Sequence, residues 1–232
     1  MNPKKTLILQ SNYIPWKGYF DLINMVDDFV LYDEVQYTKN DWRNRNKIQT
    51  KQGIRWLTIP IRHKKLDQKI IDTKVSDNRW NTKHWNTITQ NYTKAPYFKK
   101  YKEVFEEFYL NTQEEYLSQI NLKLIEIVNE ILGITTKVHL SSEFNLVNGQ
   151  TERLIDICQQ LGADTYLSGL AAKDYFDEDL ARNNKINVEW MDYSGYTEYN
   201  QIHQPFEHGV TILDLIFNEG PNAINFMKSF KQ

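Results

Sequence analysis

Between residues 134 and 191, short apolar runs alternate with longer amphipathic stretches, and this alternation constrains the fold more than any other feature of the sequence. The amphipathic stretch that begins at Thr151 and stops at Gly162 has the residues that commonly bound a helix. The pattern predicts strands at 134–140, 165–168 and 186–191, and helices at 152–161 and 171–183. Alternating strands and helices form right-handed βαβ units, so this half of the chain is expected to contain a parallel sheet.

The middle of the chain reads as mainly helical. Residues 54–61 resemble a strand, and 80–92 carry apolar residues four apart, which predicts an amphipathic helix. Thr112 followed by Glu115 matches a capping box, and the apolar helical pattern after it continues to Gly133. Two helices are therefore expected in this region.

The N-terminal region adds two more apolar runs, at 6–9 and 29–32, joined by a helix beginning near Pro15. We predict an α/β fold with a Rossmann-like parallel sheet and helices on both faces. Residues 1–232 are expected to form a single domain, in which about 62–133 are a helical and aromatic insert or cap.

Cysteine content and apolar patterning exclude several classes of protein. The lone Cys158 excludes an internal disulfide framework and a cysteine-built zinc site, and neither HExxH nor CxxC occurs. The apolar run before Gln10 is too short for a signal peptide, and no run is long enough to span a bilayer. We expect a cytoplasmic protein without a metal site. The sequence identifies no cofactor and leaves the oligomeric state open.

Charge is concentrated in one segment of a chain whose net charge is −2. Between Lys39 and Lys65 there are nine Lys or Arg residues and one acid, Asp41, so the segment carries +8 and the rest of the chain −10. A basic segment on an acidic body favours a localised anionic small-molecule ligand and makes general nucleic-acid binding unlikely.

The stretch QSNYIPWKGY, residues 10–19, follows the first predicted strand. Ligands of parallel α/β sheets bind beyond the carboxyl ends of the strands, where a following helix N-terminus favours anions. A purely structural cluster of buried aromatic residues is the alternative. The candidate ligand-binding residues here are Gln10, Asn12, Tyr13, Trp16, Gly18 and Tyr19.

A second candidate segment is DEVQYTKNDWRNRNKIQT, residues 33–50. Arginines and lysine alternate with asparagines, so in an extended strand the three cations would share one face and could bind phosphate or carboxylate. A solvated basic loop is the alternative. The candidate ligand-binding residues are Trp42, Arg43, Asn44 and Arg45, with Lys47 as the third cation. Asp33 could act as a base, hold a metal or form a structural salt bridge.

Two histidines are candidates for moving a proton. His63 lies among basic residues, which disfavour its protonation and leave a neutral imidazole able to act as a base. His84 shares a predicted helix face with Asn91, seven residues later, which becomes a candidate binding residue. Each histidine could equally be structural. His203 and His208 lack the spacing of a metal site.

The third candidate segment is TERLIDICQQLGADTYLSGLAAKDY, residues 151–175. A strand ends at Ser168-Gly169, where a phosphate or carboxylate could bind, and Lys173 and Tyr175 follow. A Ser-Gly turn is also a common way to leave a strand. The sequence contains no GxSxG elbow, Walker loop or GxGxxG, so hydrolase, P-loop and dinucleotide functions lose their main support.

These segments, with GIRWLTIPI and HWNTITQNYTKAPYF, resemble the WbqC-like protein family in the expected order over about residues 6–218. Ser11 replaces a usual proline, and Glu34 stands where aspartate is commoner. The resemblance implies a role near the biosynthesis of O-antigen and other surface polysaccharides. More weakly, WKGY occupies the place of the HxGH signature of nucleotidylyltransferases, with both histidines replaced, by Trp16 and Tyr19.

Two functional hypotheses follow from the residues and the resemblance together. The first is an enzyme of surface-polysaccharide biosynthesis that acts on a nucleotide-activated sugar, for example by acyl or aminoacyl transfer to an amino sugar. The second is a non-catalytic module that binds an anionic ligand such as a glycan, a nucleotide or a single-stranded nucleic acid.

Overall fold

The computed structural model describes residues 3–63 and 65–230 and contains a five-stranded parallel sheet with helices. The strands are β1 (Lys5–Leu9), β2 (Asp28–Leu31), β3 (Arg45–Thr50), β4 (Gly53–Thr58), β5 (Ile61–Arg62), β6 (Lys74–Val75), β7 (Lys137–Leu140), β8 (Thr165–Ser168) and β9 (Asn187–Trp190). The α-helices are α1 (Lys17–Asn24), α2 (Trp80–Tyr92), α3 (Phe98–Asn111), α4 (Leu117–Leu132), α5 (Thr151–Gln160), α6 (Glu178–Asn183) and α7 (Ile212–Glu219).

The large sheet has the strand order β7-β2-β1-β8-β9, and every pair in it is parallel. In order of appearance along the chain its strands are therefore arranged 3-2-1-4-5, which is the order of a doubly wound α/β fold. The order reverses between β1 and β8, whose Leu7 and Leu167 are partners in the register. The predicted Rossmann-like fold is confirmed.

The two faces of the sheet are covered by different helices because side chains alternate along each strand. Leu7 and Phe29 belong to a core that includes α1 and α4, whereas Ile8 and Val30 belong to a second core with α5 and α6. The predicted arrangement of helices on both faces is therefore present.

Residues 32–136 form an insert between β2 and β7, which are neighbours in the sheet. It holds the β3–β4 hairpin, the short β5–β6 pair and helices α2 to α4. Its aromatic residues Trp85 and Phe98 stack, and Phe98 also contacts Phe217 of α7. The insert thus shares one core with the sheet, and the organisation of residues 1–232 as a single domain stays a prediction.

Several local predictions differ from the structure. Helix α3 was not anticipated, and Thr112 is the residue that ends α3 rather than a cap for α4. Glu115 pairs instead with Lys74 at 3.0 Å. The predicted helix at 171–183 is shortened to α6, preceded by a 3-10 turn, because Asp177 caps α6 by accepting from the backbone N–H of Leu180 at 2.9 Å.

Other signals in the sequence had the expected effect. Gly133 ends α4 in the left-handed conformation with a φ of 72°. Thr211, a residue type that favours a helix start, precedes α7, and its side chain accepts from the backbone N–H of Leu213. Pro60 separates β4 from β5, which together cover most of the strand predicted at 54–61. None of the helices in the described part of the chain is long and apolar enough to cross a bilayer.

Candidate functional site

A cavity of about 630 Å³ opens at the carboxyl ends of β1 and β8, where the strand order of the sheet reverses. This is the place where doubly wound sheets bind their ligands. Polar side chains in its wall come from segments far apart in sequence, and they include Gln10, Tyr32, Arg43, Arg153, Ser168 and Tyr175. We call it the large cavity.

Arg43 lies at the centre of a hydrogen-bond cluster in the wall of the large cavity. One guanidinium nitrogen donates to Oε1 of Gln10 at 2.8 Å, and the other donates to Oδ1 of Asn12 and, at 3.4 Å, to the Ser11 carbonyl. Asp41 lies 3.5 Å away. These contacts hold the guanidinium in one orientation against the loop that follows β1, so its charge is fixed at the sheet edge.

Arg153 supplies a second guanidinium to the large cavity from the first turn of α5. Its Nε donates to the Val147 carbonyl at 2.7 Å, and an Nη donates to the Tyr32 hydroxyl at 3.1 Å. The N-terminus of α5 lies in the same wall, at Gln150. Arg153 and Tyr32 were not predicted as site residues, although Arg153 is a cation in the first turn after Thr151 and was therefore a visible signal.

The large cavity has a positive electrostatic character. Among the described residues that line it, none is an aspartate or glutamate, while Arg43 and Arg153 each carry a positive charge. Positive groups at a helix N-terminus and a sheet edge favour an anion. The cavity can therefore bind a phosphate-bearing or carboxylate-bearing molecule.

Ser168, Gly169 and Tyr175 complete one side of the large cavity. Ser168 is buried and its hydroxyl donates to the Tyr166 hydroxyl at 3.1 Å. A Cβ on Gly169 would lie 3.1 Å from the Tyr193 hydroxyl, so the close approach of Tyr193 favours glycine there. Tyr175 is half-exposed. Lys173 is also exposed and is not among the residues that line this cavity.

A second, smaller cavity of about 270 Å³ is lined by the same loop, at Asn12, Pro15 and Trp16. We call it the small cavity. Its wall is mostly ring surface with a few polar side chains, and it consists of Asn12, Pro15, Trp16, Trp42, Asn46, His208 and Gly209. Asn46, one of the asparagines that alternate with the cations, was expected to offer hydrogen bonds, whereas no site role was predicted for His208.

The loop between β1 and α1 is held in shape by the insert. Asn46 of β3 donates from Nδ2 to the carbonyls of Tyr13 (3.0 Å) and Ile14 (2.6 Å). Ile14 has a φ of 41°, which is unfavourable for a β-branched residue. The Tyr13 N–H donates to the Trp42 carbonyl at 3.0 Å. These bonds fix the loop that contributes residues to both cavities.

Tyr13 and His84 form a buried network instead of lining a cavity. His84 Nε2 donates to the Thr58 carbonyl at 3.2 Å, so its Nδ1 accepts from the Tyr13 hydroxyl at 2.8 Å. The Tyr109 hydroxyl lies 2.7 Å from that of Tyr13. Burial lowers the pKa of His84 to about 4 and raises the pKa of Tyr13 well above its usual value. This network stabilises the neutral forms of both groups in the core.

Gly18 and Tyr19 support neighbouring site residues from inside the fold. A Cβ on Gly18 would lie 2.4 Å from the Trp16 ring, so glycine allows Trp16 to pack across α1. The buried Tyr19 hydroxyl donates to the Gln10 carbonyl at 3.0 Å. Both residues therefore position Trp16 or Gln10 without lining the large or the small cavity.

The cations of the second segment do not share one face, which differs from the expectation. Arg43 precedes β3 and turns to the sheet edge, whereas Arg45 and Lys47 both lie over the Trp56 ring, at 4.3 and 5.4 Å. Asn44 is buried, accepts from the Tyr37 hydroxyl at 2.8 Å and donates to a backbone carbonyl. The strand begins too late in the sequence for the expected alternation to include Arg43.

The remaining candidates lie apart from the large cavity. Asp33 is buried, accepts from the Ser11 N–H at 2.8 Å and from Ser118, and has a pKa raised by burial. His63 contacts the Tyr37 ring at 5.7 Å. Asn91 lines a different surface cavity. Across residues 3–63 and 65–230, no three His, Cys, Asp or Glu side chains are grouped so as to hold a metal ion.

The family resemblance of the polar segments is confirmed by comparison with known proteins. The model of the WbqC-like protein family matches residues 10–226, a range that includes Arg43, Arg153 and His208. The uncharacterized protein Rv1507c of Mycobacterium tuberculosis is 44% identical over 230 residues, which is 99% of this chain and 100% of that protein. No solved structure matches the chain. With most of its length matched by the family model, this chain belongs to the WbqC-like protein family.

Proposed function

We propose that the protein is an enzyme of surface-polysaccharide biosynthesis, of the O-antigen type, that acts on a nucleotide-activated sugar. The observation that carries this proposal is the large cavity at the strand-order reversal, with Arg43 and Arg153 in its wall. Family membership supports the choice of pathway, and the lining of the cavity supports the class of ligand.

The size and charge of the large cavity suit a nucleoside diphosphate. Its volume of about 630 Å³ is within the range of small-molecule sites. The charges of two guanidinium groups complement the oxygens of a diphosphate, and Tyr32 and Tyr175 add ring faces and hydroxyls beside them. This pairing of charge with flat surface is what a nucleotide requires.

The reaction we favour is acyl or aminoacyl transfer to an amino sugar. No histidine, aspartate or glutamate occurs among the described residues that line the large cavity, so we assign that cavity to binding. Of the residues considered for proton transfer, Asp33 and His84 are committed to buried hydrogen bonds. An acid–base group is therefore to be sought outside the large cavity.

Thermal denaturation with a panel of nucleotide sugars and free nucleotides at millimolar concentration tests the proposal. We expect at least one nucleotide sugar to raise the melting temperature of the wild type, and Arg153→Gln to remove most of that rise because it loses a charge beside the diphosphate. Arg182→Gln is the matched control, since Arg182 pairs with exposed Asp179, at 2.7 Å, and is not among the residues that line the large cavity. A panel that leaves the melting temperature of the wild type unchanged would refute the proposal.

A non-catalytic role in binding an anionic polymer is the second candidate. Trp42 and Trp56 are each 40% exposed, lie 5.4 Å apart and are accompanied by Arg45 and Lys47. Stacking rings beside cations are typical of surfaces that bind single-stranded nucleic acid. Retention on single-stranded RNA or DNA that weakens steeply with salt would favour this candidate over the enzyme, and no retention at low salt would exclude it.

A further inference from the structure

The two cavities adjoin each other through a contact between side chains. Arg43, in the wall of the large cavity, donates to Oδ1 of Asn12, in the wall of the small one. Trp42, the neighbour of Arg43 in sequence, also lines the small cavity. A ligand group bound to Arg43 is therefore one side chain away from the small cavity.

The small cavity has the composition of a sugar site. Pro15, Trp16 and Trp42 provide ring surfaces against which the C–H face of a sugar ring can pack. Asn12 and His208 provide hydrogen-bonding groups for its substituents. The volume of about 270 Å³ accommodates one such ring and is too small for a second nucleotide beside it.

His208 differs from the other histidines that the sequence brought to notice. His84 is committed to Thr58 and Tyr13, and His203 donates from Nε2 to the Asn91 carbonyl at 3.0 Å. By contrast, Nδ1 of His208 is buried and has no hydrogen-bond partner among the residues that the structure describes. Because no hydrogen bond at Nδ1 fixes the ring, the imidazole can turn to present a nitrogen to the small cavity, which it lines.

The surroundings of His208 favour the neutral imidazole. Burial and the positive charge of Lys17 lower the pKa of His208, while the carboxylates of Glu198 and Glu207 oppose the shift without cancelling it. A neutral imidazole keeps one nitrogen able to accept a hydrogen bond from a hydroxyl or an amine.

We infer that the small cavity is the sugar subsite of the nucleotide-sugar site: Trp16 and Trp42 pack against the sugar ring, and His208 accepts a hydrogen bond from one of its substituents. This inference rests on the proposed function, since it places the nucleoside diphosphate in the large cavity. Arg43 then lies next to the diphosphate, between the nucleoside in the large cavity and the sugar in the small cavity.

Isothermal titration calorimetry of nucleotide sugars against the matching nucleoside diphosphates tests the subsite. The probes are UDP-N-acetylglucosamine with UDP, GDP-mannose with GDP, and dTDP-glucose with dTDP. For at least one pair we expect the nucleotide sugar to bind roughly tenfold more tightly than its diphosphate. Trp42→Ala should remove this preference and leave the affinity for the diphosphate unchanged.

Trp56→Ala is the matched control, because Trp56 has the same exposed fraction as Trp42, 40%, contacts it, and is not among the residues of the small cavity. It should retain the preference for the sugar. Unchanged diphosphate binding in each variant shows that the protein has folded, so that a lost preference reports on the subsite.

A pH series of the same titrations tests His208. The preference for the nucleotide sugar should fall as the pH is lowered through the pKa of His208, which burial holds below the usual histidine value, because the protonated imidazole stops accepting. His208→Gln should remove this pH dependence. His203→Gln, in the same segment between β9 and α7, should keep it.

The subsite would be overturned if the nucleotide sugar and its diphosphate bind with equal affinity in every pair. It would also be overturned if Trp42→Ala and Trp56→Ala have equal effects. Either result leaves the proposed function standing. An identical pH dependence in wild type and His208→Gln would overturn the role of His208. If neither member of any pair binds, the proposed function itself fails, and the subsite fails with it.

Discussion

Asn12 and Tyr13 are neighbours in sequence, yet they belong to regions of the molecule with opposite properties. Asn12 joins Arg43 and Gln10 at the edge of the sheet, where the two cavities meet. Tyr13 points into the core, where it joins His84 and Tyr109. The first region presents fixed charge to solvent-filled space, and the second removes polar groups from water by pairing them with each other.

Hydrogen-bonding side chains in one polar motif can therefore serve either binding or folding. A buried hydroxyl or imidazole needs partners because leaving it unpaired is costly. The same residue types at a cavity need partners because a ligand group must be held in one orientation. Side chains used for binding and side chains used for folding differ in how deeply they are buried, and not in residue type.

The largest expected effect is a loss of stability on substitution in the buried region around Tyr13, with little loss on substitution at the cavity edge. Tyr13→Ala should lower the free energy of unfolding by about 4 kcal/mol, because it removes a buried aromatic ring and leaves His84 and Tyr109 without their shared partner. Asn12→Ala, one residue away, should cost less than about 1 kcal/mol. Chemical denaturation of both variants measures this, and similar losses in the two would contradict the comparison.

The second effect is a dependence of stability on pH that comes from the core network. Burial places the folded-state pKa of His84 at about 4, below its unfolded value near 6.5, so the contribution of His84 to stability is complete above about pH 6.5 and is lost as pH falls through 4. The difference corresponds to about 3 kcal/mol.

Urea denaturation at pH values between 7 and 4 measures this contribution. His84→Gln is the informative variant, because glutamine keeps a hydrogen-bonding side chain and does not titrate. The wild type should lose more stability than His84→Gln over this range. Parallel curves for the two proteins would show that His84 is not held neutral by burial.

The smallest expected effect concerns the cavity edge. Arg43→Gln removes the charge but keeps a donor for Gln10 and Asn12, so we expect a loss of about 2 kcal/mol in binding of the nucleotide sugar identified by thermal denaturation. The free energy of unfolding should change by less than about 1 kcal/mol. Calorimetry measures the affinity and chemical denaturation of the same sample measures the free energy of unfolding. A large loss of stability with little loss of affinity would show that Arg43, like Tyr13, serves folding.

Much of the fold was predictable because its signals are local. The predicted strand at 165–168 and helix at 80–92 agree with β8 and α2, and Gly133 ends α4 as expected. Helix α3 was missed although Phe105 and Phe108 occupy its buried face, since its charged residues obscure a short apolar stripe.

The candidate site was predictable only in part. The sequence identified Gln10, Arg43 and Ser168, which the structure brings to one cavity. It did not identify His208, because nothing in the residues around it indicates that a distant segment lies against it, and it did not identify Arg153 although a cation in the first turn of α5 was a visible signal.

The sequence by itself determined the α/β class, the family, and which segments carry polar and cationic residues, because these follow from periodicity, composition and motif order. Only the tertiary structure decided which of those residues line a cavity. Burial and hydrogen-bond partners come from segments far apart in the chain: Asn46 shapes the loop after β1, and Tyr13 turns into the core to meet α2 and α3. Long-range packing of this kind selects between the two uses of the same side chains, and local sequence carries no record of it.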